Sequence, residues 1–101
     1  MMNRMSLALV GLLGLAGCAN EGYQPKQGFV PDGAVAARVA EAVLVPIYGQ
    51  GLIDSEKPLK ASLRDAVWTV RGTMPEGCNG GVASVQISQR DARILNVIHT
   101  Q

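Results

Sequence analysis

The chain has 101 residues, which is too few for more than one ordinary domain, and 48% of them are hydrophobic. Its formal net charge is only +1, and its nine Lys and Arg residues form no basic cluster of the kind that nucleic-acid binding requires. With one Trp, two Tyr and one Phe, the sequence favours a surface-binding module over a deep small-molecule pocket, and no cofactor is expected.

The N-terminal segment predicts a secretory signal peptide over residues 1–17. Arg4 supplies the positive start, and residues 7–16 form an apolar and glycine run of about ten residues, where a spanning helix needs roughly 18 or more. The run ends in Leu15-Ala16-Gly17-Cys18, which resembles the bacterial lipobox. An ordinary cleaved signal with an incidental Cys18, or an uncleaved membrane anchor, are the alternatives.

The lipobox resemblance implies a lipoprotein that is acylated at Cys18. The thiol would receive a diacylglyceryl group, and cleavage before Cys18 would free an amine for a further chain such as palmitate. One acyl chain anchors marginally, whereas two or three make attachment effectively permanent. Ala19 stands where the enterobacterial inner-membrane retention signal has Asp, so we expect the outer membrane, with the domain facing the periplasm.

Residues 18–31 are rich in Pro, Gly and polar side chains and predict a lipidated tether, followed by one domain over residues 32–101. Asp32 is a candidate N-cap, and the helix is expected to begin at Gly33. Apolar residues recur at every fourth position from Val35 to Ile47, with alanines and Leu44 beside them. Pro46, Gly49 and Gly51 are expected to end this helix.

The remainder has the two-residue period of β-strands. Strands are predicted near residues 59–64, 67–71, 82–88 and 94–99, with turns at 65–66, 72–81 and 89–92. One amphipathic helix packed on a four-stranded antiparallel meander is an α+β fold. One helix covers one side of such a sheet, so the other side meets water or a partner.

The second half also carries an ordered set of short motifs. They are Tyr48-Gly49, Lys57-Pro58-Leu59, the strand 67–71 followed by Gly72-Thr73, Pro75-Glu76-Gly77, Gly80-Gly81-Val82 and Ile87-Ser88 with Asp91. This set resembles the bacterial nuclear transport factor 2 fold immunity protein family over about residues 37–98. The resemblance implies a truncated cystatin-like cone and a protein that neutralises one polymorphic contact-dependent toxin by binding it.

Three departures from the family pattern bear on this resemblance. Gln89 and Ala92 stand where the family tends to have Lys and Gly, and Ala66 also replaces a common Gly. Because Gly takes positive φ without a steric cost, alanines at 66 and 92 predict looser turns. The third departure is length, since the full fold has about three helices and only one is evident here, which weakens the inference of a ligand cavity.

Catalysis and metal binding are not predicted. Tyr48, Asp54 and His99 are the only pieces from which an acid–base site might be assembled, and nothing in their spacing brings them together. One His and scattered carboxylates offer no metal-ligand spacing. If Cys18 is lipidated, Cys78 is the remaining thiol, which is read as inert, with an intermolecular disulfide or a nucleophile as alternatives.

The predicted activity is occlusion of a protein partner through the open sheet face and the loop at 73–80. Trp68 is expected in the core, with an interface anchor as the alternative. Tyr48 is expected at the helix–sheet junction, with donation of its hydroxyl in a site as the alternative. The face receives Thr69, Ser88 and either Lys60, Ser62 and Arg64 or the alternate set. The alternative function is a general envelope lipoprotein that uses this domain for an assembly or housekeeping contact. The candidate partner-binding residues are Arg71, Thr73, Glu76, Asn79, Ser84 and Gln86.

Overall fold

The computed structural model describes residues 22–23, 25–78 and 80–100, in which two helices precede a four-stranded sheet. The helices are α1 (Gly33–Tyr48) and α2 (Gln50–Ser55), and the strands are β1 (Lys60–Arg64), β2 (Val67–Arg71), β3 (Ala83–Ser88) and β4 (Ile94–His99). The strands are antiparallel in the order β1-β2-β3-β4, and α1 packs on one side. The predicted α+β meander is confirmed, whereas the predicted signal peptide and Cys18 lie outside the described residues.

Helix α1 begins where the sequence predicts. Asp32 has an extended backbone, and its carboxylate accepts a hydrogen bond from the backbone N–H of Val35. Among the described helices, neither is long and apolar enough to cross a bilayer. The buried side of α1 is not the row at every fourth position from Val35 to Ile47. Ile47 is 55% exposed, and the valines pack at the margins of the core. The fully buried side chains of α1 are Ala36, Ala40 and Leu44.

A second helix follows α1 almost at once, and the sequence analysis did not predict it. Gly49 has a φ of 95°, and its N–H ends α1 by donating to the carbonyl oxygen of Val45. The chain then enters α2 and buries Ile53. The glycine taken as the end of helical structure therefore marks a change of direction, because a positive φ redirects the chain at little cost in Gly. Asp54 lies on α2.

The first hairpin is tighter than predicted. Arg64 pairs with Val67, so Asp65 and Ala66 alone form the turn, and their φ angles are 51° and 63°. Two central residues with positive φ are typical of a type I′ turn, whose twist matches that of the strands. Ala92 also has a positive φ, of 65°. The prediction of a looser turn at Ala66 is therefore wrong, because the alanine adopts the left-handed conformation that Gly would adopt more easily.

The core lies between α1 and the sheet. Trp68 and Val70 of β2 are buried, and they pair with Ile87 and Val85 of β3, which are also buried. Because directly paired residues project from the same side of a sheet, these four side chains form one apolar layer beneath α1. Trp68 is only 7% exposed, which agrees with its predicted place in the core.

The segment before α1 packs on the domain as well. Val30 is fully buried, and its carbonyl oxygen accepts a hydrogen bond of 2.7 Å from the indole Nε1 of Trp68. The N–H groups of Phe29 and Val30 donate to the carbonyl oxygens of Arg90 and Gln89 in the β3–β4 turn. Residues 28–30, whose composition suggested part of the tether, are thus attached to the packed domain in the structure.

Candidate functional site

The open face is the side of the sheet that points away from α1. The strand registers place on it the residues that alternate with the buried layer of Trp68 and Val70. Of the two sets left open for β1, the one on this face contains Lys60, Ser62 and Arg64, because their neighbours Ala61 and Leu63 pair with Val70 and Trp68. The other members are Val67, Thr69, Arg71, Ser84, Gln86, Ser88, Asn96 and Ile98.

Two cations lie directly opposite each other on the open face. Lys60 of β1 pairs in register with Arg71 of β2, and both side chains are exposed. Like charges directly opposite in a sheet are destabilising, so fold stability gives no reason for this arrangement. Among the described residues neither side chain forms an ion pair, and the nearby Arg64 has only a long, highly exposed contact of 4.0 Å with Asp65.

The β3–β4 side of the open face is less polar than the sequence suggests. A register shift between Gln86 and Ile87 gives β4 a bulge, and Leu95 joins Arg64, Val67 and Thr69 among the residues around a shallow depression of about 410 Å³. Leu95 and Ile98 are 42% and 43% exposed. The open face therefore has cations towards β1 and β2 and apolar side chains towards β4.

Three predicted partner-binding residues lie on the open face, with different accessibility. Arg71 is exposed, and Gln86 is partly buried with its amide Nε2 donating to the hydroxyl of Thr69 at 3.4 Å. Ser84 is only 8% exposed. Its direct cross-strand partners are Arg71 and Ile98, whose larger side chains flank the small serine, so Ser84 offers little surface to a partner.

The other three predicted residues belong to the β2–β3 connection. Glu76 is exposed, and Asn79 lies outside the described residues. Thr73 holds the start of the loop, since its N–H donates to the carbonyl oxygen of Glu56 and its hydroxyl to that of Pro58, both at 2.7 Å. Cys78 is a free, exposed thiol in the same loop. Thr73 thus has a structural role, while Glu76 is accessible to a partner.

Glu56 is a buried carboxylate that the sequence analysis missed. It is 2% exposed, its Oε1 accepts a hydrogen bond of 2.8 Å from the N–H of Ala83, and its Oε2 lies 3.3 Å from Nε2 of His99. A Cβ atom on Gly72 would stand 2.4 Å from Oε1, so glycine is needed for this approach. Glu56 therefore joins the end of α2 to β3 and β4, and we call this arrangement the Glu56 joint.

The candidate acid–base residues are only partly brought together. The rings of Tyr48 and His99 are 5.2 Å apart between centroids, and Oε2 of Glu56 contacts Nε2 of the same imidazole. Asp54 instead accepts hydrogen bonds from Lys57 and Gln50 at 2.9 Å. Both oxygens of Glu56 already contact groups of the protein, so this arrangement supports packing and hydrogen bonding. Within the described ranges no cluster of His, Cys, Asp and Glu is suited to a metal ion.

A charged cluster links α1, α2 and the segment that follows α2. Nζ of Lys57 lies 2.9 Å from Oε2 of Glu41 and 2.9 Å from Oδ1 of Asp54. Hydrogen bonds from Lys57, and then from Gln50, lower the pKa of both carboxyl groups. The hydrogen bonds of Lys57 to Asp54 and Glu41 raise the pKa of Lys57. Each charge of this cluster has an oppositely charged partner within it, in contrast to the opposed cations of the open face.

Comparisons with known proteins agree with this architecture. The family model described as NTF2 fold immunity protein matches residues 35–101. The uncharacterized protein YhhH of Escherichia coli K12 is 33% identical over 81 residues, which cover 79% of this chain and 64% of that protein. The chain thus spans less than two thirds of the length of this relative. No solved structure matches the chain.

Proposed function

Because the chain belongs to the NTF2 fold immunity protein family, we propose that it protects its cell by binding and occluding a cognate toxin from a lipid anchor in the envelope. The family match runs from residue 35, within α1, to residue 101, and so includes the second helix and all four strands. The proposed partner is therefore a protein, and the proposed activity is binding without chemistry of its own.

The proposed contact surface is the open face together with the exposed part of the β2–β3 loop. The opposed cations Lys60 and Arg71 carry this proposal, because the fold gains nothing from their proximity and a partner carboxylate would relieve their repulsion. Arg is also over-represented among residues that dominate binding energy at interfaces. The partner surface is accordingly expected to be acidic where it meets β1 and β2.

The proposed mode of action does not require a reacting group. The buried acid of the domain, Glu56, has both carboxylate oxygens in contact with Ala83 and His99. On the open face the accessible groups are the opposed cations Lys60 and Arg71, the cation Arg64, amides, hydroxyls and apolar side chains. Such groups suit steering and docking of an acidic surface, and charges of this kind govern the association rate more strongly than the final affinity.

A charge reversal at Arg71 tests the contact surface. The full chain serves as bait for partners from the native envelope, in parallel with Arg71→Glu and with Arg38→Glu, which makes the same charge change on the exposed side of α1. We expect a specific partner whose capture is lost with Arg71→Glu and retained with Arg38→Glu. Equal capture by both variants would contradict the proposed face.

A growth assay tests the immunity role itself. Cells that express the captured partner should be protected by the full chain and not by Arg71→Glu, provided that both are equally abundant. A captured partner that is not toxic would contradict the immunity role and favour the general envelope contact instead.

The proposed anchor rests on Leu15-Ala16-Gly17-Cys18 and has its own test. With radiolabelled palmitate, the protein should incorporate label, Cys18→Ser should not, and Cys78→Ser should retain it. We also expect Cys18→Ser to remain unprocessed by the lipoprotein signal peptidase and the wild-type label to fractionate with the outer membrane. Normal cleavage of Cys18→Ser to a soluble product would overturn the lipobox assignment.

A further inference from the structure

The two edges of the sheet differ in how they meet solvent. At one edge β1 carries the exposed cations Lys60 and Arg64, which discourage pairing with another strand. At the other edge β4 has no Lys, Arg, Asp or Glu. Its Ile94, Leu95 and Ile98 side chains are exposed, which makes this edge apolar as well as uncharged.

The backbone of β4 also has groups directed away from the sheet. The N–H of Thr100 donates to the carbonyl oxygen of Val82, so this pair is a hydrogen-bonded one. Because hydrogen-bonded pairs alternate in an antiparallel ladder, the N–H and C=O groups of Val97 and His99 point away from β3. In the described part of the chain no strand lies beyond β4. The bulge affects only the start of β4, and residues 96–99 keep a regular edge.

We propose that β4 pairs with β4 of a second copy of this chain, so that two sheets join edge to edge in a two-fold symmetric dimer. A second copy fits because an antiparallel pair of these strands opposes no like charges, whereas pairing of β1 with itself would bring Lys60 and Arg64 of the two copies together. Leu95 and Ile98 of both copies would lie along the joined edge on the open face, which shields part of their exposed apolar surface.

This dimer leaves free the cations on β1 and β2 that carry the proposed toxin contact. His99 is held on the helix side of the sheet by Glu56, so the end of β4 is fixed before a second copy arrives. The joined sheet would have its uncharged strands at the centre and the opposed cations at both outer ends. Two partner-binding surfaces would then lie on one continuous face.

Sedimentation of the full chain in density-matched detergent tests the dimer. We expect a dimer whose dissociation constant rises at least about tenfold with Ile98→Lys and with Leu95→Lys, because each change adds a cation from both copies to an apolar seam. Ser62→Lys, on the β1 edge, should leave the dimer intact. Trp68 fluorescence and far-UV circular dichroism check that each variant is folded.

Hydrogen exchange on the unmodified chain gives a second measurement. The amides of Val97 and His99 should exchange more slowly as the protein concentration rises, since they would donate to the second copy. A monomer at all concentrations, a dimer insensitive to both β4 variants, dissociation caused by Ser62→Lys, or concentration-dependent protection confined to other strands would each overturn the proposal.

Discussion

The two sides of the sheet are built from the same strands and differ in the kinds of side chain that they present. The side beneath α1 is a continuous apolar layer, in which Trp68, Val70, Val85 and Ile87 are all buried. The open face has exposed cations, amides and hydroxyls, together with the two exposed apolar residues of β4. Burial stabilises the first side, whereas opposed like charges on the second reduce the stability of the fold.

Several residues of the motifs that carry the family resemblance connect parts of the domain. Gly72 packs against Glu56, Thr73 donates to the carbonyl oxygens of Glu56 and Pro58, and a Cβ atom on Gly81 would overlap the carbonyl of Thr100. These residues join the helices to the strands. These motif residues therefore report how the domain is assembled.

Removing the buried aromatic side chain of the helix side should give the largest loss of stability. Trp68→Ala deletes a buried ring and its hydrogen bond to Val30, so we expect a loss of about 3–5 kcal/mol in the free energy of unfolding, measured by urea denaturation. That is a large part of the stability of a small domain. Ser62→Ala on the open face should change it by less than about 0.5 kcal/mol. Similar losses in both variants would show that the two sides are not distinct.

The Glu56 joint gives a smaller and more diagnostic effect. Glu56→Ala leaves the buried N–H of Ala83 without its acceptor, which we expect to cost about 1–3 kcal/mol in the free energy of unfolding. Glu56→Gln keeps an oxygen that can accept this hydrogen bond and should cost less. Equal urea midpoints for the two variants would mean that the acceptor oxygen has no special role.

The smallest expected effect on stability concerns the charged cluster of Glu41, Asp54 and Lys57. The lowered pKa values of Glu41 and Asp54 mean that the unfolded chain binds protons more readily than the folded one on the acid side of neutrality. The stabilisation is complete above the ordinary carboxylate range and is lost as the pH falls through the lower folded values, below about pH 4.

Lys57→Met sharpens this point because it removes the hydrogen bonds that lower the pKa of both carboxyl groups. We expect unfolding midpoints measured from neutral to acidic pH to decline less steeply for Lys57→Met than for the unmodified chain. Lys60→Met is the control on the open face and should decline as steeply as the unmodified chain. A profile unaltered by Lys57→Met would contradict the linkage.

Local patterns predicted the strands and the start of α1 well. The two-residue alternation gave the four strands and the side on which Trp68 lies, and Asp32 gave the helix start. The buried row of α1 was harder to assign because apolar residues occur on several of its sides, so periodicity alone does not select Ala36 and Ala40 over Val39. Helix α2 was missed because Gly49, a turn signal, stands immediately before it.

The parts of the site that depend on long-range contacts were beyond reach of the sequence. Glu56 meets Ala83 and His99 across 27 and 43 residues, and no local pattern marks it as buried. The low exposure of Ser84 depends on its cross-strand neighbours, which only the strand registers specify. The opposition of Lys60 and Arg71 has the same origin, since it requires the exact pairing of β1 with β2.

The hydrogen bond between Trp68 and the carbonyl of Val30 has a mechanical consequence. Tension applied along the N-terminal segment would reach this bond, and the backbone bonds of Phe29 and Val30 to the β3–β4 turn, before it reached α1. The load would be shared between Trp68 of β2 and the β3–β4 turn, so it would not unwind α1 from its N-terminal end. A domain held under tension through its N-terminal segment would thus stay folded while a bound partner pulls on its outer surface.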